Sequence, residues 1–304
     1  MKFENVKVFN FEGALRGMRN PKESWHLSDS EFGLVHLTED CGQAIALEWA
    51  RATDRTQTAN FVTEEDLVQD WQLWLWKNGF ININKDESIA EVAFIGPKDM
   101  KLAHTLITSG PEHRKFLRQI FVSVDITAPL YWWKEFDTYK VATVANSTST
   151  MHKLAETPIT MDCFELDNLD VITEKTDNPL YYIDENNEEH YVTSLEADFV
   201  YKEDVETIIE ICEKLRQDFL NTQDQRYWKM LVQMLPNAWL QKRTVTMNYE
   251  TLLAICSKGQ RRFHKLTEWS GTGEEDSFIQ FAHRLPYAQD FIFSDESSVL
   301  DVIN

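Results

Sequence analysis

The chain predicts a mixed α/β (α+β) fold, and three observations carry that prediction. Val6 to Phe11 alternates apolar with polar residues, the two-residue period of a half-buried strand. Ala90 to Ile95 is a short apolar run closed by Gly96-Pro97, again strand-like. Asp204 to Leu220 sets Val205, Ile208, Ile209, Cys212, Leu215 and Phe219 on one stripe at helical spacing. Strands and helices interleave along the chain rather than falling into separate blocks.

The remaining elements follow in order. Thr63-Glu64-Glu65-Asp66 resembles a capping box opening a helix that carries Leu67, Trp71, Leu73 and Trp74 and ends near Gly79. Pro97 to Thr108 predicts a helix that Ser109-Gly110-Pro111 breaks. Glu112-His113 then opens a further helix carrying Phe116, Leu117 and Ile120. Thr157 to Asp198 changes character: acidic, turn-rich runs flank Tyr181-Tyr182-Ile183 and His190-Tyr191-Val192, which predict a surface hairpin with a polar tip. Arg226 to Met234 is helical until Pro236, and Val245 to Asn248 is a short strand. Asn248, with Glu250 in the following turn and then Leu252, Leu253 and Ile255, is a helix N-terminus signature; Gly259 closes that helix.

Bulk properties narrow the function. The 304 residues are 43% hydrophobic, enough for one large domain or a domain with an insertion. Thirty basic against fifty acidic residues give a net charge of -20, which argues against nucleic acid or an anionic membrane as the main partner. A small phosphorylated ligand needs only a few local cations. Cys41, Cys163, Cys212 and Cys256 have no metal or disulfide spacing and suit a reducing compartment. The N-terminus lacks an apolar signal core and no uncharged run is long enough to cross a bilayer, so a soluble cytoplasmic protein is expected.

No P-loop, G-x-G-x-x-G, G-x-S-x-G or H-E-x-x-H is present, the eight histidines are dispersed, and no metal site is expected. Three segments remain. His113 falls near a helix start, where backbone amides favour anions, or is an ordinary first-turn polar residue. The run Asn146-Ser147-Thr148-Ser149-Thr150 offers neutral donors to a phosphate, or is a cap whose hydroxyls bond their own backbone. Arg261, Arg262, His264 and Lys265 are the densest cationic cluster, fit to grip a phosphate or to counter the preceding helix dipole. Tyr131, Trp132 and Trp133 line a pocket for a flat ring or pack the core.

The order of these segments resembles the flavin-dependent thymidylate synthases, the ThyX family, and especially its divergent phage and prophage branch. Glu112-His113 with Phe116 is similar to the family's EH-x-x-F. Asn146 and Ser149 match the N-x-x-S core of R-H-R-x-x-S-x-N-x-x-S-x-R. Leu235-Pro236, Thr246-Met247-Asn248 and Leu252 match the L-P and T-x-N-x-x-x-L stretch, and Arg261 or Arg262 with Glu268 stands for the closing Arg and Glu. The resemblance covers Lys98 to Lys153 and Val200 to Trp269. Tyr139-Lys140-Val141 occupies the place of R-H-R, Val144 that of the first Ser and Met151 that of the last Arg.

The resemblance implies a mixed sheet packed with helices. Residues 1–97 form an N-terminal extension and the start of the core, 98–156 the first motif half, 157–199 an acidic hairpin insertion, and 200–304 the second motif half with a tail. It implies a homotetramer and one-carbon modification of C5 of a pyrimidine deoxynucleotide such as dUMP, using methylenetetrahydrofolate and FAD reduced by NADPH. His113, Asn146, Ser149 and Asn248 would lie at the flavin, Lys140 and Ser147 at the substrate, and Arg261 or Arg262 at the nucleotide phosphate and base as catalytic groups. A catalytically inactive nucleotide-binding or protein-interaction module, and an enzyme acting on a cytidine nucleotide or giving a hydroxymethyl product, stay open beside that reading.

Overall fold

A computed structural model describes residues 1–36, 79–83, 89–139, 141–166, 181–183, 189–191, 194–256, 264–270 and 277–294. The fold is mixed α/β, as expected from the interleaved periodicities. It divides into two units, one made of Met1, 127–137 and 147–243, the other of 2–126, 138–146 and 244–304. The expected helix from Thr63, the tip of the acidic hairpin at 184–188, and Gly259 lie outside the described residues.

The second unit holds β1 and most residues of β5, β9 and β6 of a four-stranded sheet ordered β1-β5-β9-β6, formed by Lys2–Phe9, Phe121–Pro129, Leu240–Asn248 and Val144–Ser147. β1 ends earlier than its alternation predicts. Asn10 takes a left-handed backbone at φ 70°, which Asn tolerates better than branched residues do, and Phe11 opens a helix instead of closing a strand. That helix, Phe11–Arg19, buries Phe11, Ala14, Leu15 and Met18, the i, i+3, i+4, i+7 stripe.

A three-stranded antiparallel sheet in the same unit runs β2-β4-β3, from Glu31–His36, Ile89–Phe94 and Phe80–Ile83. Asn82 of β3 joins it to β1 by mimicking a strand partner: its Nδ2 donates to the Val8 carbonyl at 2.8 Å and its Oδ1 accepts the Val8 N–H at 3.3 Å.

The helix Pro97–Thr108 has the predicted bounds, with Pro97 in its first turn. Asp29 caps it from a distant loop, accepting the N–H groups of Lys98 and Asp99 at 2.9 and 3.1 Å. A side chain at Gly96 would collide with Asp29, so this cap requires glycine there.

The segment after Pro111 departs from expectation. Glu112 and His113 lie in a turn, and Lys115–Gln119 is a five-residue 3-10 helix, not an α-helix. Only six residues separate Arg114 from the first residue of β5, too few for two α-turns, and the tighter helix still buries Phe116 and Leu117.

In the first unit, Leu130–Phe136 is a helix, and Ser194–Thr222 packs against Gln225–Met234 as a helical hairpin. Ile209, Cys212 and Leu215 of the predicted stripe enter a core with Leu154, Ile159, Phe164, Leu231 and Trp239, whereas Ile208 stays exposed. The predicted hairpin forms, pairing β7 (Tyr181–Ile183) with β8 (Glu189–Tyr191) in antiparallel register.

Glu213 ties this unit together. It accepts the Ile159 N–H at 2.8 Å and two N–H bonds from Arg216, whose Nη1 reaches the Ala155 carbonyl. The Arg216 hydrogen bonds outweigh the cost of burial and bring the Glu213 carboxyl down to about 2. A depressed carboxylate pKa stabilises the fold fully above the unfolded value near 4.5 and loses that contribution as pH falls through about 2. The stability gap between the native chain and Glu213→Gln, read from urea midpoints, is therefore expected to shrink steadily from pH 5 to pH 2. A gap independent of pH would contradict the assigned charge.

Candidate functional site

Segments far apart in sequence meet at the first turn of the helix Tyr249–Cys256. That helix starts where predicted because Asn248 caps it: Asn248 Oδ1 accepts the Thr251 N–H at 2.9 Å. The Thr251 hydroxyl lies 3.1 Å from both Asn248 Oδ1 and the Val141 carbonyl, so the cap also holds Val141. Glu250, in the same turn, accepts Arg114 Nε at 3.0 and 3.1 Å through its two oxygens. The Tyr249 N–H donates to the Ile120 carbonyl, fastening the helix to the chain just before β5. The His113 turn, the 138–146 segment and Asn248 thus converge on one helix terminus.

The roles of the expected residues differ. His113 and Asn146 are exposed, and among the described residues neither side chain has a partner. Asn248 is 2% exposed with its oxygen already occupied by Thr251. Ser147 ends β6 and is exposed, while Ser149 caps the helix Thr150–Glu156: its Oγ accepts the His152 N–H at 3.3 Å and lies 2.8 Å from His152 Nδ1. Lys140, Arg261 and Arg262 lie outside the described residues. Of the basic cluster, His264 accepts the Leu266 N–H through Nδ1; Glu268, the expected closing acid, is buried.

The hydroxyl run is held by a network in the first unit that the sequence did not announce. Thr148 donates its N–H to the Lys242 carbonyl, and Gln241 Nε2 donates to the Thr148 carbonyl and to Thr150 Oγ1. Arg243 fixes that amide by donating Nε to Gln241 Oε1, donates Nη1 to Asp137 at 2.8 Å, and stacks its guanidinium 4.2 Å from the Trp133 ring centre. Trp132 and Trp133 are 0% and 1% exposed, so they pack the core and Trp133 also seats Arg243. Arg114, Glu250 and Thr251 at the helix terminus, and Gln241 and Arg243 in the network of the first unit, are not singled out by the sequence reading. The available signals were the position of Arg114 beside His113 and the acidic residue in a helix first turn.

The cap makes a measurable claim. Asn248→Ala is expected to cost about 1–2 kcal/mol by removing the acceptor for the Thr251 N–H, and Asn248→Asp to restore most of it. Chemical denaturation of the three proteins measures both steps. Equal stability of the Ala and native chains would show that Asn248 does not support this turn.

Val141, held by Thr251, and Val144 of β6 are 86% and 73% exposed. Among the described residues no helix is long and apolar enough to cross a membrane.

No family model matches the chain, and no curated protein matches it. Solved structures do. Thymidylate synthase X (ThyX) from Helicobacter pylori, crystallised with FAD and dUMP, is 17% identical over 66% of this chain and 83% of its own, with a TM-score of 0.39. The UMP/dUMP methylase PolB from Streptomyces cacaoi, bound with 5-Br dUMP, is 13% identical over 88% of this chain and 96% of its own, with a TM-score of 0.44. At these values the similarities assign no residue a role, and the site is defined by its own side chains.

Proposed function

We propose that the chain is a ThyX-like flavoprotein that modifies C5 of a pyrimidine deoxynucleotide such as dUMP, with methylenetetrahydrofolate as one-carbon donor and NADPH as reductant. One observation carries the reading. The His113 turn, the 138–146 segment and Asn248, which together bear much of the motif resemblance, converge on the first turn of Tyr249–Cys256 through the Arg114–Glu250 and Thr251–Val141 contacts. A chain that had kept only motif fragments by chance has no reason to bring them together.

The fit to FAD is divided among the four expected residues. His113 and Asn146 are exposed and uncommitted, and would hold it by side-chain hydrogen bonds. Asn248 spends its oxygen on a helix cap and acts as a support for the site, and Ser149 spends its own on the cap of the helix Thr150–Glu156. Ser147 and Lys140 would face the nucleotide, and Arg261 or Arg262 its phosphate and base. Flavin, when bound, supplies the electrons that reduce the transferred carbon; the protein binds, orients and polarises. Assembly as a homotetramer in the cytoplasm, serving phage nucleotide metabolism, belongs to the same proposal.

The visible spectrum of purified protein with added FAD tests it. Flavin bands that survive desalting, followed by a methylated product from dUMP, methylenetetrahydrofolate and NADPH, are the expected result. A colourless protein that binds neither FAD nor dUMP by calorimetry overturns it. A second reading, a nucleotide-binding module without flavin chemistry, is favoured by the burial of Asn248 and its engagement with Thr251. It predicts dUMP binding with no NADPH oxidation.

A further inference from the structure

The turn that carries His113 gathers cations in an otherwise acidic chain. The Gly110 carbonyl accepts the N–H groups of both His113 and Arg114, at 3.0 and 3.2 Å. Lys115 and Arg118 follow on the 3-10 helix Lys115–Gln119, where residues three apart lie one above the other. Arg118 folds back over the turn, its Nη2 donating to the Pro111 carbonyl at 3.3 Å. Arg114, Lys115 and Arg118, with His113 beside them, thus stand against the carboxylates of Glu112 and Glu250 in a chain of net charge -20.

Arg114 is held differently from the other cations. Its side chain is 19% exposed, and that of Glu250, its partner on Tyr249–Cys256, is 16% exposed. Both Glu250 oxygens take the same donor, Nε. The carboxylate therefore covers one edge of the guanidinium plane, and the Nη1–Nη2 fork at its far end is turned to other acceptors. Neither Nη makes a hydrogen bond among the described residues. An enclosed cation with its fork unspent is poorly solvated and gains from an acceptor with two oxygens. Pinned through Nε, the fork is also fixed in direction before any ligand arrives.

We infer that the Arg114 fork binds a phosphoryl group, with Lys115, Arg118 and His113 adding positive charge around it. Two phosphoryl oxygens match the spacing of the fork. A phosphate monoester or a diphosphate carries more negative charge than a carboxylate, so it gains more from the neighbouring cations. Glu250 is a positioning residue: it aims the fork through Nε and does not touch the ligand. The site rests on the flavin and nucleotide reading above only for the source of the group, the diphosphate of FAD or the monophosphate of dUMP. Arg114, Lys115 and Arg118 lie outside the residues that carry the motif resemblance.

Calorimetry of the full chain with pyrophosphate, FAD and dUMP, and with the phosphate-free riboflavin and deoxyuridine, tests the site. Arg114→Lys keeps a cation for Glu250 and removes the fork, so its urea midpoint is expected to stay close to the native one. The expected result is saturable binding of at least one phosphorylated probe, weakened about tenfold or more by Arg114→Lys. Riboflavin and deoxyuridine are expected not to distinguish the two proteins. Whichever of FAD and dUMP loses affinity identifies the source of the group. Arg118→Gln, on an exposed side chain, is expected to weaken the same probe by about threefold, and it decides in the same way if Arg114→Lys does not fold. Absence of binding by all three phosphorylated probes overturns the site, as does binding that a folded Arg114→Lys leaves unchanged. An equal loss for the phosphate-free compounds also overturns it, since Arg114 would then only support the fold. Pyrophosphate binding that depends on Arg114, without FAD or dUMP binding, upholds the site and counts against the flavin reading; FAD and dUMP binding indifferent to both substitutions does the reverse.

Discussion

Replacing Arg19 with Met is expected to destabilise the fold by about 3–5 kcal/mol, because it strands a buried charge. Asp99 is 0% exposed and Arg19 6%; Arg19 Nε donates to Asp99 Oδ1 at 2.5 Å, while the hydroxyls of Ser28 and Ser30 donate to Oδ2 at 2.5 and 2.6 Å. Removing the cation leaves the buried carboxylate with two neutral donors. Urea denaturation at neutral pH measures the loss. The pH dependence identifies its cause. Burial alone would raise the Asp99 pKa, but the hydrogen bonds from Ser28, Ser30 and Arg19 hold it below the ordinary value of 3.8. The native chain therefore keeps this contribution above about pH 4 and loses it as pH falls through the folded value. In Arg19→Met the stranded carboxyl is pushed upward and is relieved by protonation, so the gap between the two proteins narrows in acid. A double replacement, Arg19→Met with Asp99→Leu, should recover much of the stability. A loss of under ~1 kcal/mol for the single variant would show that the pair is solvated in solution.

The second large effect is in the first unit. Trp132→Ala is expected to cost about 3–5 kcal/mol, since the ring is fully buried, stacks on Phe136 at 5.0 Å and meets Trp133 edge-on at 4.9 Å. Tyr131→Ala, one residue earlier on the same helix and only partly buried, should cost much less. Thermal and urea unfolding of the two variants separate a core role from a pocket-wall role. If Trp132→Ala were as stable as Tyr131→Ala, the indole would not be in the core.

Several elements were legible because their signals are local. Pro97 at a helix start and the Ser109-Gly110-Pro111 break fixed the helix Pro97–Thr108 to its observed ends. Asn248 followed by Glu250 marked a helix terminus, and the cap is there. The Asp204–Leu220 stripe identified a helix correctly but missed its first ten residues, which follow the β7–β8 hairpin and lack that stripe. β9 begins at Leu240 rather than Val245, because Gln241, Lys242 and Arg243 do not alternate as a strand should. Their partners are Thr148, Trp133 and Asp137, roughly a hundred residues away, so no window could show them.

The site itself was legible only in its local parts. His113, Asn146 and Asn248 were picked out, but the bonds that gather their segments link Arg114 to Glu250 across 136 residues and Thr251 to Val141 across 110. An ion pair of that separation has no signature in composition or periodicity. The helix reading of Glu112-His113 failed for the same reason, since the distance to β5 is set by the sheet.

Hydrogen–deuterium exchange of the native chain, with and without saturating FAD and dUMP, tests the central claim most directly, because it reads where the ligands act as well as whether they bind. The account predicts slowed exchange in the peptides that span His113–Arg114, Val141–Asn146 and Asn248–Thr251, together and at the same ligand concentrations. Unchanged exchange in all three segments under saturating ligand, or protection confined to other parts of the chain, would contradict it.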